Sequence, residues 1–205
     1  MEAKSHWETV YATKAPDAVS WYAPHLQESL AYIQRSGLPT SASIIDVGGG
    51  EAPLVDDLLD AGCPDLTVLD ISRKALDVAQ QRLGAKAAQA SWLVADAMTA
   101  DLPSHAFDVW HDRAAFHFLT EPERRAAHVS QVLRVLRPGG FAIVGTFGPQ
   151  GPHQCSGLPV ACYAPDELHG GFGGRFVLVD NSASVHTTPW GSAQRFVYCF
   201  CRLEH

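Results

Sequence analysis

At 205 residues, 46% of them hydrophobic, the chain is long enough to bury a substantial core and short enough to form one domain. A net charge of -7 without a long Lys/Arg run argues against a nucleic-acid partner, and no apolar stretch reaches membrane-spanning length. The first residues, Met1 to Trp7, read as neither a signal peptide nor a lipidation motif, so a cytoplasmic location is expected. Leu203-Glu204-His205 reads as the scar of a purification tag.

In chain order, residues 5–13 and 22–36 have helical patterning, and Gly37-Leu38-Pro39 closes the second helix. A strand is predicted over 43–48, then a helix over 53–61 opened by Pro53, which suits a first helical turn. Strands near 66–70, 91–95, 107–111 and 140–147 follow, with helices near 72–83 and 121–136 between them. Two last strands fall near 175–182 and 194–201. This alternation implies an α/β fold, a doubly wound, mainly parallel seven-stranded sheet covered by helices on both faces. The connection 148–174 is rich in Gly and Pro and too short for a separate substrate domain.

The informative stretch is Ile44-Ile45-Asp46-Val47-Gly48-Gly49-Gly50-Glu51-Ala52-Pro53. Glycines directly after a buried strand let the backbone turn sharply and approach a ligand closely. The next strand, Leu66-Thr67-Val68-Leu69, ends on Asp70, placed to accept hydrogen bonds from a ribose. A dinucleotide fingerprint would have a third glycine where Pro53 stands, and Asp46 would repel a pyrophosphate. An NAD(P)-dependent oxidoreductase is therefore the weaker reading.

Asp46, Gly48, Gly50 and Ala52 in order, with Asp70, resemble the first motifs of the class I S-adenosylmethionine-dependent methyltransferases, of the small bacterial type 11 and 12 kind. Trp92-Leu93-Val94-Ala95-Asp96-Ala97, Ala106-Phe107-Asp108-Val109-Trp110-His111 and Val132-Leu133-Arg134-Val135-Leu136-Arg137-Pro138-Gly139-Gly140 are similar to that family's third, fourth and fifth strand motifs. The resemblance implies S-adenosylmethionine as methyl donor and S-adenosylhomocysteine as product. It implies cofactor contacts from Asp46, Gly48, Gly49, Gly50, Asp70, Ile71, Asp96, Ala97 and His111, and an antiparallel last strand. It further implies one domain over 1–202, in which residues 1–40 form a helical lid on a core of 41–202. Trp7 and Tyr11, then Trp21 and Tyr22, supply the lid's aromatic residues, with Trp21 or Tyr22 facing the cofactor.

Methyl transfer from a sulfonium needs alignment above all, and a base only for acceptors that must lose a proton. His111-Asp112-Arg113-Ala114-Ala115-Phe116-His117 follows the fourth strand, where loops carry function in such sheets. His111, Asp112 and His117 are the candidates for acceptor chemistry, and Arg113 for the methionine carboxylate. The plainer alternative makes these residues core and surface. A small-molecule acceptor ranks first and a protein lysine is an alternative, although Asp112-Arg113-Ala114-Ala115 departs from the Asp-Lys-Gly-Thr of eukaryotic protein-lysine members. A thiol or metalloid acceptor would call on Cys155, Cys199 and Cys201 converging. No His or Cys pair has zinc-site spacing, so no metal is expected. A non-catalytic binding module is the remaining alternative, which the intact motif acids disfavour.

Overall fold

The computed structural model describes residues 2–204. Two helices, α1 (Glu2–Thr13) and α2 (Gln27–Arg35), precede the sheet. The second starts at Gln27 rather than near 22, because Pro24 removes a backbone donor and biases the residue before it away from the helical region.

The core alternates as the spacing predicts: β1 (Ile44–Val47), α3 (Leu54–Asp60), β2 (Leu66–Asp70), α4 (Arg73–Leu83), β3 (Ala90–Val94), β4 (Phe107–Arg113), α5 (Pro122–Val135) and β5 (Leu136–Phe147). Two short strands follow, β6 (Gln154–Cys155) and β7 (Leu158–Pro159), then α6 (Pro165–Phe172), β8 (Phe176–Thr187) and β9 (Ala193–Leu203). The seven-stranded sheet runs β3-β2-β1-β4-β5-β9-β8, parallel through β5, with β9 antiparallel to both of its neighbours. This is the Rossmann-like sheet that the alternation implies. No described helix is long and apolar enough to cross a membrane.

Every residue of β1 is buried, as befits a central parallel strand covered on both faces. Successive side chains therefore feed two cores. Ile45 and Val47 join Trp110, Val132, Leu136 and Phe172 beneath α5 and α6. Ile44 joins Tyr32, Leu54, Leu58, Leu76 and Phe200 beneath α2, α3 and α4.

The connection 148–174 holds the β6–β7 hairpin and α6. Leu203, the first residue of the segment read as a tag scar, pairs with Phe176 in β9 and is buried. Its apolar side chain completes the strand's alternation. His205 lies outside the described residues.

Candidate active site

The loop after β1 turns at Gly48 (φ 67°) and Gly50 (φ 50°), a left-handed conformation that favours glycine. A Cβ on Gly48 would stand 2.6 Å from that of Ala115, so the loop lies directly against the turn after β4. A Cβ on Gly50 would stand 2.9 Å from the Tyr11 hydroxyl and 3.2 Å from Asp70 Oδ2. The bare glycine lets Tyr11 and Asp70 close on the loop.

Asp70 ends β2 in the same corner, and its Oδ1 accepts the Ser72 N–H at 2.8 Å. Burial pushes its pKa up to about 7, against the Ser72 hydrogen bond and with the Asp46 charge adding to the rise. Tyr11 is raised as well, by burial and then by the Asp70 and Glu51 carboxylates. Asp96, beyond β3, accepts the Met98 N–H at 2.9 Å.

A cavity of about 1200 Å3 opens at the carboxyl ends of the strands. Gly48, Asp70, Ile71, Asp96 and Ala97 line it, five of the residues expected to touch a cofactor. Asp46, Gly49 and Gly50 sit behind that surface, and Tyr22 is off it while Trp21 is on it. The Asp70 carboxylate on the cavity wall beside the glycine loop, with a second acid, Asp96, on the same wall, fits a ribose and an adenine base.

None of the three catalytic candidates lines the cavity. His111 is turned inward. Its Nδ1 lies 2.7 Å from Asp46 Oδ1 and its Nε2 lies 2.8 Å from Ser29 Oγ, so both ring nitrogens are committed within the protein. The cause is register: His111 pairs with Asp46 across β4 and β1, and their side chains leave the sheet on one face. Asp112 is fully buried, and its Oδ1 accepts the N–H groups of Ala115 and Phe116 at 3.1 and 3.0 Å, which fixes the turn in which Ala114 takes φ 67°. Burial lifts its pKa to about 7. His117 is also fully buried, stacked at 4.4 Å on Phe147, with neither ring nitrogen hydrogen-bonded, and burial lowers its pKa to about 3.

A family model described as a methyltransferase domain matches residues 44–140, from the start of β1 through the glycine loop, both acids and the β4 turn into β5. Those residues are a methyltransferase domain, and the sheet they build is the Rossmann-like fold of the class I S-adenosylmethionine-dependent methyltransferases. The methyl donor of this enzyme family is S-adenosylmethionine. Among curated relatives, the malonyl-[acyl-carrier protein] O-methyltransferase of a Paenibacillus species is 29% identical over 131 residues, 62% of this chain and 46% of that protein. The eEF1A lysine and N-terminal methyltransferase of Mus musculus is 25% identical over 141 residues, 66% of this chain and 20% of that protein. The chain thus spans less than half the length of either. A solved S-adenosylmethionine-dependent methyltransferase from Anabaena variabilis shares the fold, with a TM-score of 0.74 at 15% identity over 100% of this chain and 96% of that one.

Segments flanking that match complete the cavity, together with the β4–α5 connection and α5 inside it. Trp7 and Tyr11 of α1 reach it together with Trp21, and Trp7 lies 5.0 Å from Phe118 in an edge contact. Glu8 fastens α1 to the core, accepting the Arg73 and Lys74 N–H groups at 2.7 and 3.1 Å at the start of α4. Cys155, Leu158 and Pro159 come from the hairpin, whose turn residues Ser156 and Gly157 have φ 50° and 78°. His128 of α5 also lines the wall, its Nε2 3.5 Å from Asp112 Oδ2, and burial lowers its pKa to about 3. Sequence reasoning missed His128, which sits in mid-helix without a motif. It missed the hairpin too, although Ser156-Gly157 is a two-residue turn signal.

The three thiols do not converge. Cys199 and Cys201, with Sγ atoms 2.7 Å apart, are packed in the core under α5 and α6, whereas Cys155 belongs to the core on the other face of the sheet. Among the described residues, no group of three or more His, Cys, Asp or Glu side chains is arranged to hold a metal ion.

Proposed function

We propose that the chain transfers a methyl group from S-adenosylmethionine to a small-molecule nucleophile by in-line displacement. The observation that carries this reading is one continuous cavity of about 1200 Å3, lined by Gly48, Asp70 and Asp96 together with the aromatic residues of the N-terminal segment and the hairpin. Single small-molecule sites occupy roughly 300–1,000 Å3. The space suits a nucleoside cofactor beside a small acceptor.

In this reading Asp70 accepts the ribose hydroxyls, Asp96 and the Ala97 N–H read the adenine edge, and the Cβ-free Gly48 lets the backbone approach the methionine portion. When bound, the donor supplies a sulfonium methyl carbon; the C–S bond breaks as the acceptor lone pair forms the new bond, and S-adenosylhomocysteine leaves with the C–S electrons. Trp7, Trp21 and Phe118 exclude water and orient the acceptor, and alignment of this kind supplies roughly 7–11 kcal/mol of the barrier. With His111, Asp112 and His117 turned into the protein, the reading favours an acceptor that is nucleophilic in the form that binds: a carboxylate, a thiolate or a neutral amine.

The test combines calorimetric titration of S-adenosylhomocysteine with a methyl-release assay against carboxylates, thiols, amines and a cell-protein extract. Turnover of a small acceptor is the expected result. Turnover confined to the extract would replace the small molecule with a protein substrate, and absence of cofactor binding would end the reading altogether.

A further inference from the structure

Arg113 is the last residue of β4 and lines the cavity. Its guanidinium lies 4.5 Å over the ring of Phe196, and Nη1 donates to the Trp21 carbonyl at 2.7 Å. Its Nε is buried without a hydrogen-bond partner. None of the ion pairs among the described residues includes Arg113. A guanidinium held on an aromatic face, partly stripped of water and unmatched by a carboxylate, is poised for an anion from outside the protein, and its planar fork matches a carboxylate.

The direction of the side chain decides whose anion that is. The glycine loop follows β1, on one side of β4 in the sheet, and Phe196 belongs to β9, beyond β5 on the other side. The guanidinium therefore reaches away from Gly48 and toward the hairpin. Its charge is felt there: it helps depress His117 and His186, in both cases after burial, and acts on Cys155. Beside it stands an aromatic wall, with the Trp21 ring 5.9 Å from Trp7 and 6.1 Å from Tyr11 in edge contacts.

We infer that Arg113 anchors a carboxylate carried by the methyl acceptor, whose apolar or aromatic body lies against Trp21. This rests on the methyltransferase reading of the cavity, and the experiment separates the two. Benzoate, cinnamate and indole-3-acetate, each paired with its neutral amide, are titrated calorimetrically into the protein with and without saturating S-adenosylhomocysteine. The titrations are repeated with Arg113→Gln and Arg113→Lys, whose folding is checked by near-ultraviolet circular dichroism.

At least one carboxylate should bind tenfold or more tightly than its amide. Arg113→Gln should erase that preference and Arg113→Lys should keep part of it, while affinity for S-adenosylhomocysteine stays within twofold in both. No preference for any carboxylate in the wild type overturns the inference. A tenfold loss of S-adenosylhomocysteine affinity in Arg113→Gln also overturns it, by returning the guanidinium to the cofactor. If S-adenosylhomocysteine fails to bind the wild type while the preference for carboxylates persists, the cofactor reading falls and the Arg113 site stands.

Discussion

The elevated pKa of Asp70 makes cofactor affinity depend on pH in a direction that can be worked out beforehand. Buried at the end of β2, the carboxyl is shifted from an ordinary 3.8 to about 7. In the proposed binding mode ribose hydroxyls donate to it, so the bound state favours the carboxylate and binding below pH 7 must release a proton. With a pKa of about 7, roughly a tenth of the free protein is ionised at pH 6 and roughly nine tenths at pH 8. The dissociation constant for S-adenosylhomocysteine should therefore fall about tenfold between these values, or about 1.4 kcal/mol. Stability of the free protein moves the opposite way. A carboxyl raised on folding contributes stability that is fully present below the unfolded pKa and is lost as pH rises through the folded value. Melting temperature alone would thus blur the signal. The assay is calorimetry at pH 6, 7 and 8 in buffers of different ionisation enthalpy, which reads the released proton directly. Asp70→Asn should bind weakly at every pH, and Glu51→Gln, which removes another carboxyl raised to about 7, should keep the tenfold dependence. A flat profile in the wild type, or an unchanged slope in Asp70→Asn, would refute the assignment of Asp70 to the ribose.

Glu8→Ala removes the acceptor that binds α1 to the start of α4; a carboxylate at a helix N-terminus is worth about 1 kcal/mol, so stopped-flow dissociation of S-adenosylhomocysteine should quicken about fivefold. An unchanged rate would mean that α1 does not gate the cavity. His111→Ala strands a buried Asp46 without its partner and should destabilise the fold by about 3–5 kcal/mol in urea denaturation, whereas a loss under about 1 kcal/mol would show that the Asp46–His111–Ser29 chain is not a structural tie.

The glycine loop and the strand-end acids were legible because each follows a buried strand whose length and alternation fix where the chain must turn. Which way a β4 side chain points was not. β4 is covered on both faces, so His111 and Asp112 are equally plausible in either direction, and only the register against β1 shows that His111 meets Asp46. Cys199 and Cys201 illustrate the same limit: period two puts them on one face, but it takes the packing of α5 and α6 to show that this face is core. The lid aromatics were visible as a cluster of rings. That Tyr11 sits at Gly50 and Trp21 on the cavity wall, with Tyr22 off it, depends on the path of residues 14–26, which no periodicity specifies.

The place of β9 bears on how the molecule is assembled. The strand latest in sequence lies inside the sheet, inserted between β5 and β8, and it supplies Val197, Cys199, Cys201 and Leu203 to one core and Phe196, Tyr198 and Phe200 to the other. During synthesis, β1 to β5 can pair among themselves while the outer edge of β5 stays bare until these residues leave the ribosome. An exposed edge of this kind templates association with other chains. Closing it by non-local pairing is slow. Quality control in the cell would therefore meet this protein at a defined stage, with a parallel half-sheet formed and its last seam still open.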